Sequence, residues 1–427
     1  MPSTKIFRAR WILPIVGPPL VDAWVECERG RVVSVGTGRA PGPVEDLGER
    51  RGDVALMPGL VNAHTHLELS WMAGRVPPTS SMVDWIRKLI AERGHGPAGG
   101  PAGAHAQQAI ASAVTRVRAS GTALVGEVSN TLETVSALDG ADIGGVLFHE
   151  LLGFMVPDPV AQVRHAAARL AEVEQREHAF QWPDAGHGRA AARPSKPHPA
   201  RRSTLVAHAP YSTSAGLFTE IAHRKGEAPL SVHLGESSDE LEFLHTGRGP
   251  FRDLLEELEV WDSTWRAPEC DPVEYLQRLG YLHDGCLVVH GVHLTPKDRE
   301  MLRTANAVVV TCPRSNLWVG VGLPPVTRFY DEGLRVAIGT DSLASSPSLS
   351  LFDELAELRR IAPEVDAGRL LESATRIGAE ALGFPEFGTI APGQRAVFAA
   401  VRVPPGTTDV EEYLVSGVPA GAASLLT

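Results

Sequence analysis

The sequence is short of the residues that mark exported proteins. Its 427 residues include four cysteines, Cys27, Cys270, Cys286 and Cys312, which form no CxxC pair and no framework of regular spacing. This scarcity indicates a reducing compartment. The segment Met1–Val16 also has no continuous apolar core of the kind that a signal peptide needs. We therefore expect a cytoplasmic protein.

Long apolar runs and an excess of positive charge are missing as well. No window approaches the roughly 18 apolar residues that a membrane span requires, so no membrane association is expected. The formal net charge of -11 argues against nucleic acid as a partner, because a phosphate backbone attracts a basic surface. What remains is the composition of an ordinary globular protein, with 43% hydrophobic and 21% charged residues.

The middle of the chain repeats one unit, a short apolar run followed by a helical pattern. Helical periodicity occurs in most intervals, for example Met82–Arg93, Ala104–Ala119, Val160–His178 and Phe251–Leu258. Strands that alternate with helices are parallel, and eight such units predict an α/β fold, a closed (β/α)8 TIM barrel. The apolar runs are Gly59–Ala63, Ala123–Val125, Gly145–Phe148, Thr204–Ala207, Leu230–Val232, Leu287–Val289, Ala307–Val310 and Val336–Ile338.

Both ends of the chain consist of short alternating segments separated by glycine and proline. Segments of this kind near both termini predict one small β-domain beside the barrel. We place this domain at residues 1–55 and 385–427, and the catalytic barrel at residues 56–384. The segment Gln181–Ser203 is rich in proline, alanine, arginine and histidine, a composition that predicts an exposed loop. The sequence does not indicate the role of this loop. The alternating segments are Lys5–Leu13, Ala23–Glu28, Arg31–Gly36 and Gly388–Val403.

Polar residues follow most of the predicted strands of the barrel. Because functional groups of a TIM barrel gather at the C-terminal ends of its strands, residues that are distant in sequence would meet there. The residues are His64 and His66 after strand one, His149 and Glu150 after strand three, His208 after strand four, His233 and Glu236 at strand five, His290 and His293 after strand six, and Asp341 after strand eight.

Histidines after strands one, five and six, with an aspartate after strand eight, suit one metal ion. His64 and His66 would share one face of a strand, because side chains alternate with period two. Such a pair alone is commonly structural, a lone His233 is commonly a core histidine, and Asp341 alone is compatible with a helix cap. The joint pattern is hard to produce by accident. Three imidazoles and a carboxylate around Zn²⁺, with an open position for water, form a catalytic site.

Five stretches carry these residues in a fixed order: Met57-Pro-Gly-Leu-Val-Asn-Ala-His-Thr-His-Leu-Glu-Leu-Ser70, Val232-His-Leu-Gly-Glu236, His290-Gly-Val-His-Leu294, Cys312-Pro-Arg-Ser-Asn316 and Ile338-Gly-Thr-Asp-Ser342. In them the sequence resembles the amidohydrolase superfamily, specifically its deaminase and chlorohydrolase branch. The resemblance runs over nearly the whole chain, and it implies a barrel plus a small β-sandwich formed by both termini.

The resemblance implies a metal site with one divalent ion, Zn²⁺ first and Fe²⁺ as the alternative, since imidazole and carboxylate ligands suit both. Such an ion lowers the pKa of its water to about 7, so hydroxide is available. Binuclear members bridge two metals through a modified lysine after strand four, but Thr204–Ala207 leads to His208 instead. The implied ligands are His64, His66, His233 and Asp341.

The resemblance also implies catalytic residues. Glu236 matches the glutamate that shuttles protons in the deaminases, and it can take the water proton and return it to the substrate. His290 matches the strand-six histidine that contacts the water. Together with Asp341 it can orient hydroxide and support the negative charge of a tetrahedral intermediate. His208 matches a position that often contacts the substrate.

Three further details narrow the substrate. Ser70, Arg314 and the run from Gly339 to Leu355 together look like the aminodeoxyfutalosine deaminases of the alternative menaquinone pathway. There hydroxide attacks C6 of an adenine ring, the glutamate protonates N1, and ammonia leaves. That substrate carries a benzoate, for which Arg314 is the candidate partner, with a structural arginine as the alternative. Trp85 and Glu150 are candidates for the lining of the pocket. The alternative is that Trp85 serves only packing and Glu150 is a surface charge.

Other functions stay open. Another adenine nucleoside, such as S-adenosylhomocysteine, methylthioadenosine or adenosine, needs the same metal site. Guanine deamination or dechlorination of a triazine needs that site with a different pocket. A non-catalytic homologue that uses the barrel as a binding scaffold is the alternative from another class, although such proteins typically lose ligands or the shuttle glutamate. A homodimer would be ordinary for the family.

Overall fold

The computed structural model describes residues 4–48, 52–96, 100, 102–180 and 201–427. Within these residues the chain forms one seven-stranded sheet from both ends and two sheets of four parallel strands from the middle. Helices alternate with the parallel strands, as the sequence predicts. In this part of the chain, no helix combines the length and the apolar character that a membrane span needs.

The order of strands and helices follows the alternation of apolar runs and helical patterns. The strands are β1 (Lys5–Ile12), β2 (Leu20–Glu28), β3 (Arg31–Thr37), β4 (Glu45–Asp46), β5 (Val54–Pro58), β6 (Leu60–Thr65), β7 (Thr122–Ser129), β8 (Gly144–Leu151), β9 (Arg201–Ala207), β10 (Ser231–Leu234), β11 (Leu287–His290), β12 (Val308–Thr311), β13 (Arg335–Ile338), β14 (Phe398–Arg402) and β15 (Ala423–Leu426). The helices are α1 (Met82–His95), α2 (Ala104–Ala119), α3 (Val135–Gly140), α4 (Pro159–Phe180), α5 (Ala215–His223), α6 (Ser238–Thr246), α7 (Pro250–Glu257), α8 (Pro272–Arg278), α9 (Pro296–Thr304), α10 (Pro313–Val319), α11 (Val326–Asp331), α12 (Leu351–Ile361), α13 (Ala367–Glu372), α14 (Gly378–Ala381) and α15 (Val410–Val415), with a 3-10 helix at Leu67–Met72 and a π-helical turn at Ser373–Ile377.

The eight middle strands pair in the orders β6-β7-β8-β9 and β10-β11-β12-β13, and every pairing is parallel. Every residue of β7 and of β8 is buried. Parallel strands are covered by helices on one side and by the core on the other, so they read as continuous apolar runs. Both strands extend beyond the predicted runs because polar residues at their ends, such as Glu127 and His149, continue the pairing.

Backbone hydrogen bonds join the two parallel sheets at both outer edges. At one edge the amide of His233 donates to the carbonyl of His208 at 2.9 Å. At the other, the amide of Asp341 donates to the carbonyl of His64 at 3.2 Å, and Thr65 forms a parallel bridge with Asp341. This architecture is consistent with the predicted TIM barrel.

The seven-stranded sheet combines both ends of the chain in the order β15-β14-β5-β1-β2-β3, and β4 pairs with β1. It has an apolar core of its own, in which Phe7 and Phe398 meet edge to face at 6.3 Å between ring centroids. In the described residues this region is one sheet, and the predicted β-sandwich stays a prediction. Strand β5 (Val54–Pro58) pairs with β14 along its whole length and so belongs to this sheet. It therefore crosses the predicted domain boundary between residues 55 and 56.

The segment Gln181–Ser203 differs in part from the predicted exposed loop. Residues 181–200 lie outside the described part of the chain. Arg201–Ser203 begins β9, where Arg201 pairs with Gly145 of β8 and its guanidinium donates to Asp139 at 2.6 Å. The strand therefore starts before Thr204, since charged residues at its beginning still complete the ladder.

Candidate metal centre

Four imidazoles and one carboxylate meet at the carboxyl ends of β6, β10, β11 and β13. The ring of His64 lies 4.9 Å from that of His66 and 4.8 Å from that of His233, centroid to centroid. All five side chains are buried. Two overlapping sets of ligand atoms each lie within 4.8 Å of one another, His64 with His66 and Asp341, and His64 with His233 and His290. The fold thus brings the four predicted ligands together, and His290 with them.

The imidazoles of His64 and His233 each have a ring nitrogen available to bind a metal ion. Neither ring nitrogen of the fully buried His64 has a hydrogen-bond partner, an arrangement that is costly unless another group binds there. Nδ1 of His233 lies 3.1 Å from the carbonyl oxygen of His208. Since a carbonyl only accepts, Nδ1 carries the hydrogen and Nε2 keeps its lone pair. Burial lowers the pKa of both His64 and His233, so their rings stay neutral.

Asp341 is held by two hydroxyl groups. Ser315 Oγ and Ser345 Oγ donate to its Oδ2 at 2.5 and 2.9 Å. Its Oδ1 faces the imidazoles and lies 3.6 Å from Nε2 of His66. Burial opposes ionisation, but interactions with the imidazoles of His66, His290 and His64 and the hydrogen bond from Ser315 outweigh it and lower the pKa of Asp341 to about 2. Asp341 is therefore a carboxylate at neutral pH.

A close approach of two strands lets Asp341 reach this point. A Cβ at Gly339 would lie 2.8 Å from the Cβ of His64 and 2.9 Å from Sγ of Cys312, so only glycine fits. Asp341 itself has a φ of 56°, in the left-handed region that residues with a side chain rarely adopt. Such conformations cluster at functional sites, where the surrounding structure holds them.

Glu236 lies beside the cluster. Its Oε1 is 3.6 Å from Nε2 of His290. Burial, and then the negative charge of Asp341, raises the pKa of Glu236 well above its ordinary value. Its backbone is fixed by the buried Glu240, whose carboxylate accepts the amides of Gly235 and Glu236 at 3.1 and 3.0 Å. A carboxyl group whose pKa lies above its ordinary value accepts a proton more readily and can return it, which is the property that a proton shuttle requires.

His208 and Glu150 border His233. The His208 ring lies 4.7 Å from that of His233, and burial followed by the charge of Arg93 lowers its pKa to about 3. Glu150 Oε1 lies 3.6 Å from Nδ1 of His233, and Asn130 donates to Glu150 Oε2 at 3.1 Å. Burial raises the pKa of Glu150 to about 6. Both predicted residues lie at the site, and their contact with substrate stays a prediction.

Trp85 and Arg314 are the remaining predicted contacts. Trp85 lies on α1, half-buried between two apolar clusters, and its indole nitrogen has no hydrogen-bond partner. Arg314 lies 3.5 Å from Asp353 and 3.6 Å from Glu354, and it donates to Ser348 at 2.9 Å. The protein already balances the charge of Arg314, and its contact with substrate stays a prediction.

An arginine without a predicted role, Arg93, contacts residues that border the site. Arg93, towards the end of α1, places Nη2 at 3.4 Å from Asn130 Oδ1 and 3.9 Å from Glu68 Oε1. Its side chain is 41% exposed. After burial, its charge is the largest influence on the pKa of His208. No local pattern marks Arg93, since its contacts with Asn130 and Glu68 depend on how α1 packs against distant parts of the chain.

Three more residues at the site received no predicted role, although two of them lie within the matching stretches. Ser315 and Asn316 belong to the stretch after strand seven, and Ser345 follows the aspartate after strand eight. The signal was available, because polar residues after barrel strands commonly face the site. The sequence could not predict which residue each of them would contact, since a hydroxyl or amide side chain forms hydrogen bonds in many contexts.

A buried imidazole and carboxylate cluster at the carboxyl ends of parallel strands is typical of a metal centre in an α/β enzyme. The sequence pattern of the Amidohydrolase family matches residues 55–421 of the chain. The chain belongs to the amidohydrolase family, as its motifs predict.

Two curated relatives are deaminases. The aminodeoxyfutalosine deaminase of Deinococcus radiodurans is 32% identical over 380 residues, which cover 83% of this chain and 81% of that protein. A 5-methylthioadenosine/S-adenosylhomocysteine deaminase of Desulforudis audaxviator is 28% identical over 411 residues, covering 93% of this chain and 85% of that protein. Family and relatives together make the chain a hydrolytic enzyme that acts on C–N bonds, as predicted.

Two crystal structures share the fold. Helicobacter pylori aminofutalosine deaminase in complex with methylthio-coformycin has a TM-score of 0.78 at 23% identity, with 98% of this chain and 99% of that chain covered. An adenosine deaminase from Xanthomonas campestris with bound zinc has a TM-score of 0.75 at 22% identity, with 98% and 90% covered. Both matches extend over nearly the whole chain.

Proposed function

We propose that the chain is a metal-dependent deaminase of an adenine-type nucleoside and that aminodeoxyfutalosine is its substrate. The observation that carries this proposal is the position of Glu236, 3.6 Å from His290 at the edge of the imidazole and carboxylate cluster. A proton shuttle in that position serves the attack of water on a ring carbon. The 32% identity to the Deinococcus radiodurans aminodeoxyfutalosine deaminase supports the choice of substrate.

His64, His66, His233 and Asp341 would hold one divalent ion. The fit of these residues rests on His64, whose ring nitrogens are both buried and without a partner, and on the ionised Asp341 beside it. Zn²⁺ is our first choice and Fe²⁺ the alternative, because the donor set suits both. When bound, the ion supplies Lewis-acid chemistry that makes water acidic enough to act as a nucleophile near neutral pH.

Glu236 would carry the protons. Its carboxylate takes a proton from the attacking water and delivers it to N1 of the adenine ring while the water oxygen bonds to C6. A second proton then passes from the new hydroxyl group to the amino group through the same carboxylate. The C6–N bond breaks and ammonia leaves, so that substrate and water give the 6-oxo purine nucleoside and ammonia.

His290 and Asp341 would orient the attacking oxygen. Nε2 of His290 and Oε1 of Glu236 are 3.6 Å apart, which is too long for a direct hydrogen bond and leaves the two groups separate partners for one oxygen. Oδ1 of Asp341 points at the imidazoles because Ser315 and Ser345 occupy Oδ2. Preorganised groups of this kind stabilise charge that develops in the transition state.

Other residues of the pocket would bind the nucleoside and determine which nucleoside is accepted. We assign His208, Glu150 and Trp85 to its lining. The first two border His233, and Trp85 packs against the apolar cluster that contains Ala209 and Tyr211, close in sequence to His208. Arg93 is our candidate for the substrate carboxylate. Its guanidinium is partly exposed and makes only long contacts, whereas that of Arg314 is engaged by two carboxylates.

Ammonia release from a panel of substrates tests the proposal. The purified, metal-loaded enzyme is given aminodeoxyfutalosine, S-adenosylhomocysteine, methylthioadenosine, adenosine, guanine and an aminotriazine. We expect the highest kcat/KM with aminodeoxyfutalosine and loss of activity on chelation. A higher kcat/KM with another nucleoside would contradict the substrate, and activity that survives removal of the metal would contradict the metal dependence.

The second candidate is deamination of methylthioadenosine or S-adenosylhomocysteine. The Desulforudis audaxviator relative supports it, because the match covers 93% of this chain. Its signature in the same panel is a preference for the thioether nucleosides. A scaffold without catalysis predicts that nucleosides bind but no ammonia appears, although the described residues retain the full set of polar groups.

We also propose that the eight parallel strands close into a barrel and that the two chain ends form a separate domain. Hydrogen bonds between β9 and β10 and between β13 and β6 support closure. The separate apolar core of the terminal sheet supports the second unit. The boundaries 1–55, 385–427 and 56–384, the β-sandwich, the homodimer and the cytoplasmic location stay predictions.

A further inference from the structure

Two consecutive residues of α10, Ser315 and Asn316, form hydrogen bonds with side chains of the candidate metal centre. Ser315 Oγ donates to Asp341 Oδ2 at 2.5 Å. Oδ1 of Asn316 lies 2.8 Å from Nδ1 of His290. Ser315 and Asn316 are fully buried, and His290 is buried with them. The first turn of α10 therefore touches groups from two different strands, β11 and the end of β13.

The contact between Asn316 and His290 fixes which ring nitrogen carries the hydrogen. An amide oxygen can only accept, so Nδ1 of His290 donates. A neutral ring with hydrogen on Nδ1 has a bare lone pair on Nε2. That Nε2 is the atom that lies 3.6 Å from Glu236. The hydrogen bond thus points a proton acceptor at the centre.

Nothing else in the described residues uses the amide group of Asn316. Its Nδ2 is buried and has no hydrogen-bond partner. An aspartate would supply the same acceptor oxygen without the unsatisfied donor, and a leucine would fill the space with no acceptor. The oxygen, rather than the shape or the second amide atom, is therefore what the position contributes.

Helix α10 is itself anchored, so Asn316 cannot easily turn away. The amide of Arg314 donates to Glu354 at 3.3 Å. At the other end, the hydroxyl of Thr79 donates to the carbonyl of Val319 at 2.8 Å. Gly320 has a φ of 86°, and a Cβ there would lie 2.3 Å from the carbonyl oxygen of Thr79. The helix is pinned at both ends by contacts outside the site.

We propose that Asn316 is a positioning residue that holds His290 in the tautomer with hydrogen on Nδ1, so that Nε2 faces the oxygen served by Glu236. This inference rests on the proposed function, since it concerns the orientation of His290 for that reaction. His290 has a φ of 73°, so its backbone is also held in a conformation that is rare for residues with a side chain. Asn316 fixes the ring and the strand end fixes the backbone.

Two variants with side chains of nearly equal size test whether Asn316 acts as a hydrogen-bond acceptor or only fills space. Asn316→Asp keeps an acceptor at Nδ1, and we expect its kcat to stay within about 10-fold of wild type. Asn316→Leu removes the acceptor, and we expect kcat to fall by roughly 100-fold with little change in KM. Metal content and melting temperature are measured for both, so that only folded, metal-loaded protein is compared.

The tautomer is measured directly by ¹⁵N NMR of histidine-labelled, zinc-loaded protein, with His290→Gln to assign the signal. Wild type and Asn316→Asp should show His290 with hydrogen on Nδ1, and Asn316→Leu should lose this preference. Hydrogen on Nε2 in the wild type would overturn the inference, as would an Asn316→Leu enzyme as fast as wild type. If no substrate of the panel releases ammonia, the proposed function fails, while the NMR result still decides the tautomer.

Discussion

Nε2 of His66 lies 3.6 Å from Oδ1 of Asp341, two residues that come from opposite ends of the catalytic region. The contact exists because β6 and β13 are neighbours across the junction of the two parallel sheets, where the amide of His66 also meets the carbonyl of Asp341 at 3.4 Å. One junction between strands therefore unites the first and last ligands of the candidate metal centre.

Removing a ligand should empty the metal site. Purified wild type should carry about one ion per chain, and His64→Ala and Asp341→Asn should carry little, because loss of one of four ligands removes most of the affinity. Metal is measured by mass spectrometry after dialysis. The control is His223→Ala, which removes an exposed histidine on α5. Full occupancy in both site variants would disprove the ligand assignment.

Glu236→Gln should keep the metal and lose turnover. The amide preserves the shape of the side chain but cannot carry a proton between water and ring, so kcat should fall by about 10² to 10⁴-fold. Steady-state kinetics on the best substrate of the panel measures the loss. Glu242→Gln, at an exposed position on α6, is the matched control and should behave as wild type. Comparable rates for both variants would remove Glu236 from the mechanism.

Arg93→Gln should discriminate between substrates. If Arg93 binds the carboxylate of aminodeoxyfutalosine, KM for that substrate should rise by roughly 10- to 100-fold, as expected for loss of a charge-assisted hydrogen bond. KM for methylthioadenosine, which has no carboxylate, should stay the same.

The control for Arg93 lies on the same helix. Arg87 pairs with Glu257 at 2.8 Å, and Arg87→Gln should leave both KM values unchanged. Arg314→Gln should lower the melting temperature instead, because it removes the hydrogen bond of Arg314 to Ser348 and its ion pair with Asp353. Equal effects of Arg93→Gln on both substrates would show that Arg93 does not recognise the carboxylate.

Glu354 should make stability depend on pH. Burial raises its pKa from an ordinary 4.5 to about 8 although Arg314 opposes the shift. Between these values the native protein holds a proton that the unfolded chain has released, so rising pH favours unfolding. The contribution of Glu354 to stability is complete below pH 4.5 and lost as pH rises to about 8.

Urea denaturation of metal-free protein at pH 5 and pH 8 measures this effect. The free energy of unfolding should fall between the two pH values, and it should fall less in Glu354→Gln, which cannot titrate. Glu364→Gln, at an exposed position, should keep the slope of wild type. An unchanged slope in Glu354→Gln would mean that Glu354 titrates near its ordinary value in the native protein.

The positions of the eight parallel strands could be predicted because strands buried on both faces are continuously apolar. Their ends could not, because β7 and β8 continue into buried polar residues such as Glu127 and His149. Predicted helices agreed closely, as in Ala104–Ala119, since helical periodicity extends over several turns. Strand β15 at Ala423–Leu426 was missed because a strand of this length carries little pattern.

The sequence by itself determined the family and the inventory of polar groups, because His64, His66, His233, Glu236, His290 and Asp341 each follow an apolar run. Only the tertiary structure decided how these groups face one another. It set Arg314 against Asp353 and Glu354, brought Arg93 near His208, and placed Asn316 on His290. The physical reason is that apolar periodicity is local, whereas hydrogen bonds and ion pairs between distant elements depend on how helices pack over the strand ends.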